Sequence, residues 1–336
     1  MFIKSLTLFA VVFASFLFAE DGKSGQTEVG TTGQSVNPRI QRRIDLLKKP
    51  TDGQNTATSA TSTEQPIVQK TFQAVTPKPQ ILKDELLALL SSANAAPKDP
   101  KTWLLAIAVE KYDSTSPVVY SAKSGEAFVA TAEKLLGIPK ENIVFLRDDK
   151  ATTGAVKDAV LKISERAEPG DTIYFYYSGH GIPDPTSSEA FILPKDKSVE
   201  YVGKEPDLKM RQIYQTLEKS KAAKVVAIVD ACFSGMTDGT AVYKGVAAAH
   251  FKPKAYIPTP KMVILTAGKD TQFSNSFDEK KHRMFSYYLM KSIIDGRKEL
   301  VDIYQEVRLK VKDESRKKGG SYEQEPQMIG NSKLKL

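Results

Sequence analysis

From Trp103 onward the chain alternates solid apolar runs with segments of helical period, and this pattern restricts it to a sheet buried on both faces. Trp103–Val109, Asn142–Leu146 (NIVFL), Thr172–Tyr177 (TIYFYY), Lys224–Asp230 (KVVAIVD) and Met262–Thr266 (MVILT) all have strand length. A strand with one wet face alternates apolar and polar residues, whereas strands of a parallel sheet covered by helices do not. Between the runs, Phe128, Ala132, Leu135 and Leu136 keep helical spacing and stop at Gly137 and Pro139. Val156, Val160 and Ile163 share a face behind the cap candidates Thr152 and Thr153, and a further helix is read near Met210–Ser220. After the fifth run, Phe285, Leu289 and Ile293 line one helix, and Leu300, Tyr304, Val307 and Val311 line another. The expected class is α/β, with a mostly parallel central sheet between helical layers. No internal repeat is visible. Ligands of such sheets bind outside the carboxyl ends of the strands.

Two residues of catalytic type stand at those ends. The third run closes in Tyr177-Ser178-Gly179-His180-Gly181, and the fourth in Asp230-Ala231-Cys232-Phe233-Ser234-Gly235. Cys232 is the only cysteine, and His180 is one of three histidines. A solitary cysteine is an inert buried residue, a site of intermolecular pairing or a reactive thiol. Its reactive form is the thiolate, which a neighbouring histidine generates or stabilises near neutral pH. Both residues end strands inside glycine-containing turns, with the histidine about 50 residues upstream. That shared context points to a nucleophilic dyad, and it fixes no metal or cofactor.

The N-terminus reads as an address. Lys4 precedes the apolar run Leu6–Phe18, and Ala19 is followed by Glu20-Asp21. The run is short for a membrane span, so residues 1–19 are expected to be a signal peptide, an uncleaved anchor being the alternative. Export to the periplasm or outside the cell follows, with no stable membrane insertion once the signal is removed. Cysteines in oxidising compartments normally work in pairs, which makes a lone thiol conspicuous. Residues 20–100 are expected to form a flexible tether, because stretches such as Thr51–Glu64 have little to bury. A basic stretch at Arg39–Lys49 and a short apolar helix over Ile81–Leu90 interrupt it. The formal charge of +8 comes from lysines spread along the chain without interleaved aromatics. It implies attraction to acidic surfaces and no nucleic-acid footprint.

The pair YYSGHG and DACFSG resembles the two signatures of the caspase-like peptidase family, on its metacaspase and paracaspase side. Gly181–Pro185, Gln272–Ser274 and His282–Leu289 (HRMFSYYL) resemble the flanking segments of bacterial members. The likeness spans residues 101–318, leaving 319–336 as a C-terminal tail. It implies a three-layer α/β/α sandwich of the caspase type and endopeptidase activity on protein or peptide substrates through an acyl-enzyme. Carried over, Cys232 is the nucleophile and His180 manages the proton. The backbone N–H groups of Gly181 and Cys232 form the oxyanion hole, and no third side chain orients the histidine.

In true caspases a glutamine stands two residues before the cysteine; here Asp230 does. As a substrate-binding carboxylate it would favour Lys or Arg before the scissile bond, and otherwise it caps the turn. The family usually has a second acidic residue at the start of its first helix. Gly125 falls there, with Glu126 beside it and Lys123 near, so either Glu126 substitutes or the pocket is less acidic. His250 and His282 have no ligand partners at metal spacing, and no metal is assigned. Calcium dependence, known for some metacaspases, has no visible loop here, and no cofactor is assigned. Lysines within Met236–Lys261 are either self-cleavage sites or a solvated loop. Oligomeric state is not legible. Two other readings remain: a non-catalytic caspase-fold regulator, and a thiol transpeptidase or other thiol hydrolase.

Overall fold

Each of the five apolar runs forms a strand, and the five lie side by side. They are β1 (Thr102–Ala108), β2 (Ile143–Arg147), β3 (Thr172–Ser178), β6 (Lys224–Asp230) and β9 (Met262–Thr266). The structure is a computed structural model describing residues 84–184, 187–234, 236–237, 240–241 and 253–336. All of these belong to one compact unit, Thr76–Leu336. Residues 1–19, read above as a signal peptide, the basic stretch and most of the expected tether lie outside the described residues. Short antiparallel pairs complete the strands: β4 (Gly181–Asp184) with β5 (Glu189–Ile192), β7 (Met236–Thr237) with β8 (Thr240–Ala241), and β10 (Ser276–Phe277) with β11 (His282–Arg283).

The main sheet has the order β12-β9-β6-β3-β1-β2, where β12 is Gln327–Gly330. The first five strands in chain order run parallel, and β12 closes one edge antiparallel to β9. Successive residues of a strand point to opposite faces, so each run feeds two cores. Leu105, Ile107, Phe175, Tyr177, Val225 and Val229 pack with Val156, Val160 and Ile163 of α3 (Thr153–Arg166) and Ile213 and Leu217 of α4 (Met210–Lys219). On the other face, Leu104, Tyr174, Tyr176, Val226 and Ile228 pack with Phe128 of α2 (Ser121–Leu135), Phe285 and Leu289 of α5 (Met284–Ile294) and Val307 of α6 (Leu300–Lys317). The architecture is therefore the three-layer α/β/α sandwich that the alternation predicts. Thr152 caps α3, its side chain accepting from the Ala155 N–H at 3.3 Å.

Both ends of the domain lie beyond the boundaries read from sequence. The tether stops short of residue 100, because α1 (Glu85–Ser92) is folded against the domain and buries Leu86 and Leu90, four residues apart on one face. The Asp84 carboxylate caps this helix by accepting the Leu87 N–H at 3.2 Å. The C-terminal residues are not a free tail, since β12 is a strand of the main sheet. Its four residues are half-buried or exposed, as an edge strand permits, and no periodic signal marks them. The segment before β12 is pinned by Glu325, which bonds Lys269 at 2.8 Å, Lys312 at 3.2 Å and Arg308. These cations pull the Glu325 carboxyl down to about 2. Through Lys269 this junction fastens the loop that follows β9, at the carboxyl edge of the sheet. No helix among the described residues is long and apolar enough to cross a membrane.

Candidate active site

β3 and β6 are neighbours in parallel register, with Ser178 opposite Asp230 as their last pair. Two residues farther along each chain stand His180 and Cys232, so the register brings the two residues to the same carboxyl edge of adjacent strands. Both are buried, His180 at 0% and Cys232 at 4% exposure. The His180 Nε2 lies 2.8 Å from the main-chain oxygen of Ser116. A carbonyl oxygen only accepts, so Nε2 carries the hydrogen in this bond. The orienting group is thus main-chain, supplied by a segment without any motif, and sequence reasoning had no signal for it.

Gly181 opens β4 directly behind the histidine and pairs with Ile192. The Leu193 N–H donates to the His180 carbonyl at 3.2 Å. Hydrogen-bonded and open pairs alternate along an antiparallel ladder, so Gly181 belongs to an open pair and its N–H points away from β5. A Cβ on Gly181 would sit 2.3 Å from the Cys232 carbonyl oxygen and 2.6 Å from the Phe233 ring. Only glycine lets the two loops approach this closely. Gly181→Ala is therefore expected to displace the thiol loop while the core keeps its fold. We expect kcat on a peptide substrate to fall by about a hundredfold or more, with the far-UV circular dichroism unchanged.

Asp230 ends β6, fully buried, with its carboxylate directed into the protein. One oxygen accepts from the Ser274 hydroxyl at 2.5 Å, and the other from the Ser286 N–H at 3.0 Å and the Ser286 hydroxyl at 2.5 Å. Ser286 lies in the first turn of α5, whose N-cap, Arg283, offers no side-chain cap of its own. Asp230 thus caps α5 from a neighbouring strand, where a carboxylate also meets the positive end of the helix. The buried Arg283 guanidinium bonds the Ser274 hydroxyl at 3.1 Å and the carbonyls of Ser274 and Val119. One network therefore holds the loop before α2, the loop after β9 and the floor beside the thiol.

The other acidic candidates point elsewhere. Gly125 faces the sheet, and a Cβ there would lie 2.4 Å from that of Ala108. Glu126 is ion-paired with Arg147 at the end of β2. His282 bonds Asp84 at 3.0 Å and Ser124 at 3.3 Å, and Asp84 also holds Lys123 at 2.7 Å. This Ser–His–Asp connectivity is buried and joins the cap of α1 to α2 and to the start of α5. Burial pushes the His282 imidazole below its ordinary range. His250 lies outside the described residues, and among those described no group of His, Cys, Asp and Glu gathers to hold a metal.

A parallel α/β/α sandwich closed by one antiparallel edge strand, with histidine and cysteine just past the ends of adjacent central strands, defines a caspase-like domain. A family model, the caspase domain, matches residues 101–335, and the chain belongs to that family. The chain is 29% identical over 111 residues to a probable protease of a Desulfuromonadales bacterium. That stretch covers 28% of this chain and 13% of the relative, so only a small part of the longer protein is matched. Among solved structures, a Geobacter sulfurreducens protein superposes with a TM-score of 0.51 at 19% identity, over 70% of this chain and 97% of its own. Caspase-1 from Spodoptera frugiperda gives 0.50 at 12% identity, over 70% and 88%. At such identities the likeness is one of fold.

Proposed function

We propose that the protein is an exported cysteine endopeptidase working through Cys232 and His180. The observation that carries this reading is the joint register of the two residues, with the imidazole held by Ser116 so that Nδ1 serves the thiol. In the proposed reaction His180 Nδ1 takes the thiol proton of Cys232, Sγ forms a bond to the peptide carbonyl carbon, and the carbonyl oxygen takes the negative charge. The N–H groups of Gly181 and Cys232 receive that charge. The C–N bond then breaks as His180 gives its proton to the departing amine. Water, deprotonated by the same imidazole, cleaves the resulting thioester.

A preference for Lys or Arg before the scissile bond rests on Asp230, the carboxylate two residues from the thiol. In a site shielded from water, such a charge discriminates strongly between cationic and neutral side chains. The test is a panel of fluorogenic peptides with Arg, Lys, Asp or Asn at that position, given to residues 20–336 with and without calcium. Turnover confined to Arg and Lys peptides is the expected result. Cleavage only after Asp would overturn the pocket reading, and binding without turnover would favour the regulator. Transfer of the acyl group to an added amine, with little hydrolysis, would favour the transpeptidase. Export is checked separately: full-length protein starting at Met1 in the cytoplasm would refute it.

A further inference from the structure

His180 is gripped at its backbone as well as at its ring. Its N–H donates to the Tyr112 hydroxyl at 2.7 Å, and its carbonyl accepts from the Tyr177 hydroxyl at 2.5 Å. The two hydroxyls thus hold the main chain of His180 from both sides, one at its N–H and one at its carbonyl. The Leu193 N–H adds a third tie, donating to the Tyr177 hydroxyl at 3.2 Å. The Tyr112 ring further lies against the imidazole, centroids 4.7 Å apart at 45°. Gly179 completes the fit, because a Cβ there would stand 2.6 Å from the Tyr112 hydroxyl and 2.9 Å from that of Tyr177.

We infer that Tyr112 and Tyr177 are positioning residues that lock the main chain of His180, and so fix the aim of its Nδ1 at the Cys232 thiol. The need for such a clamp follows from the local structure. His180 sits between the end of β3 and the start of β4, outside both, so no sheet ladder orders its N–H. A loop residue without that support samples several backbone states, and about 1 Å of drift in a catalytic group costs roughly a hundredfold in rate. Tyr177 comes from the rigid sheet and Tyr112 from the loop after β1, so the clamp also ties two crossover loops together. Burial pushes both phenols well above their ordinary range, and they therefore stay protonated and able to donate at any working pH.

The inference rests on the Cys232–His180 reading, and its test separates the two. Tyr112→Phe keeps the ring against the imidazole and removes the acceptor of the His180 N–H; Tyr177→Phe removes the donor to the His180 carbonyl together with the acceptor of the Leu193 N–H. In the purified full chain, the rate of Cys232 alkylation by iodoacetamide is followed against pH, which needs no knowledge of the substrate. An imidazolium in place keeps the thiol ionised well below the ordinary value near 8.5. In each variant the alkylation midpoint is expected to move upward toward that value, with the rate at pH 6.5 down about tenfold. On a turned-over peptide, kcat is expected to fall roughly 10- to 100-fold with KM unchanged. Alkylation profiles and kcat equal to wild type in folded variants would overturn the clamp. An ordinary thiol profile already in the wild type, unchanged by His180→Ala, would instead bring down the dyad on which it rests.

Discussion

Cys232→Ala and His180→Ala are each expected to lower peptide hydrolysis by about 10⁴-fold or more, and the double variant is expected to lose no more than either single. The reason is that neither group works alone. Without the imidazole the thiol stays protonated near neutral pH, and without the thiol the imidazole has no proton to exchange with a nucleophile. Two groups acting on separate steps would multiply their losses, so the cycle of single and double variants tests the pairing itself. Cys232 is small, so its replacement by alanine costs about 1 kcal/mol of stability, and a thermal melt should move by only a few degrees. Loss of turnover without loss of fold then belongs to the chemistry. Multiplicative losses, or a Cys232→Ala protein that still cleaves, would show that the residues are neighbours and nothing more.

Much of this site is legible in the amino-acid sequence, and the missing parts share a physical cause. Solid apolar runs can only be strands buried on both faces, so β6 and β9 appear at the residues read from sequence, and β1, β2 and β3 within one residue at either end. Since ligands gather at the carboxyl ends of parallel strands, His180 and Cys232 stand out from their positions alone. What periodicity cannot reveal is any contact closed by tertiary packing. The Ser116 carbonyl has no side-chain signature, and Tyr112 lies in a loop, 68 residues before the N–H it accepts from. β12 is too short to register as a strand, although it completes the sheet edge.

Acidic residues are the most instructive case. In a parallel α/β fold the carboxyl ends of strands lie beside the N-termini of the helices, whose first N–H groups need acceptors. Glu110 accepts the Ala122 N–H of α2, Asp196 the Thr153 N–H of α3, and Asp230 the Ser286 N–H of α5. A carboxylate at this edge thus has two available uses, and its position in sequence does not separate capping from catalysis.

Asp230→Asn is the substitution that separates them, and both of its effects are expected to be large. The amide can still offer its one oxygen to the Ser286 N–H and hydroxyl. Its NH2 then faces the Ser274 hydroxyl, which must give up its role as donor there. The buried Arg283 guanidinium, joined to the carboxylate through Ser274, meanwhile loses the negative charge nearest that route. Breaking charge-assisted bonds among buried groups costs about 2–4 kcal/mol, so the thermal midpoint should fall by several degrees. If Asp230 also reads the substrate, kcat/KM for Arg and Lys peptides should fall about 10- to 100-fold relative to a neutral peptide. The two readouts are independent: a melt reports the cap, and the ratio of kcat/KM values reports the pocket. A destabilised variant with an unchanged ratio would assign the carboxylate to α5 alone and remove the ground for basic specificity. Our expectation is that both change, because the oxygens that hold α5 lie in the network flooring the thiol, where a change in charge acts on helix and substrate together.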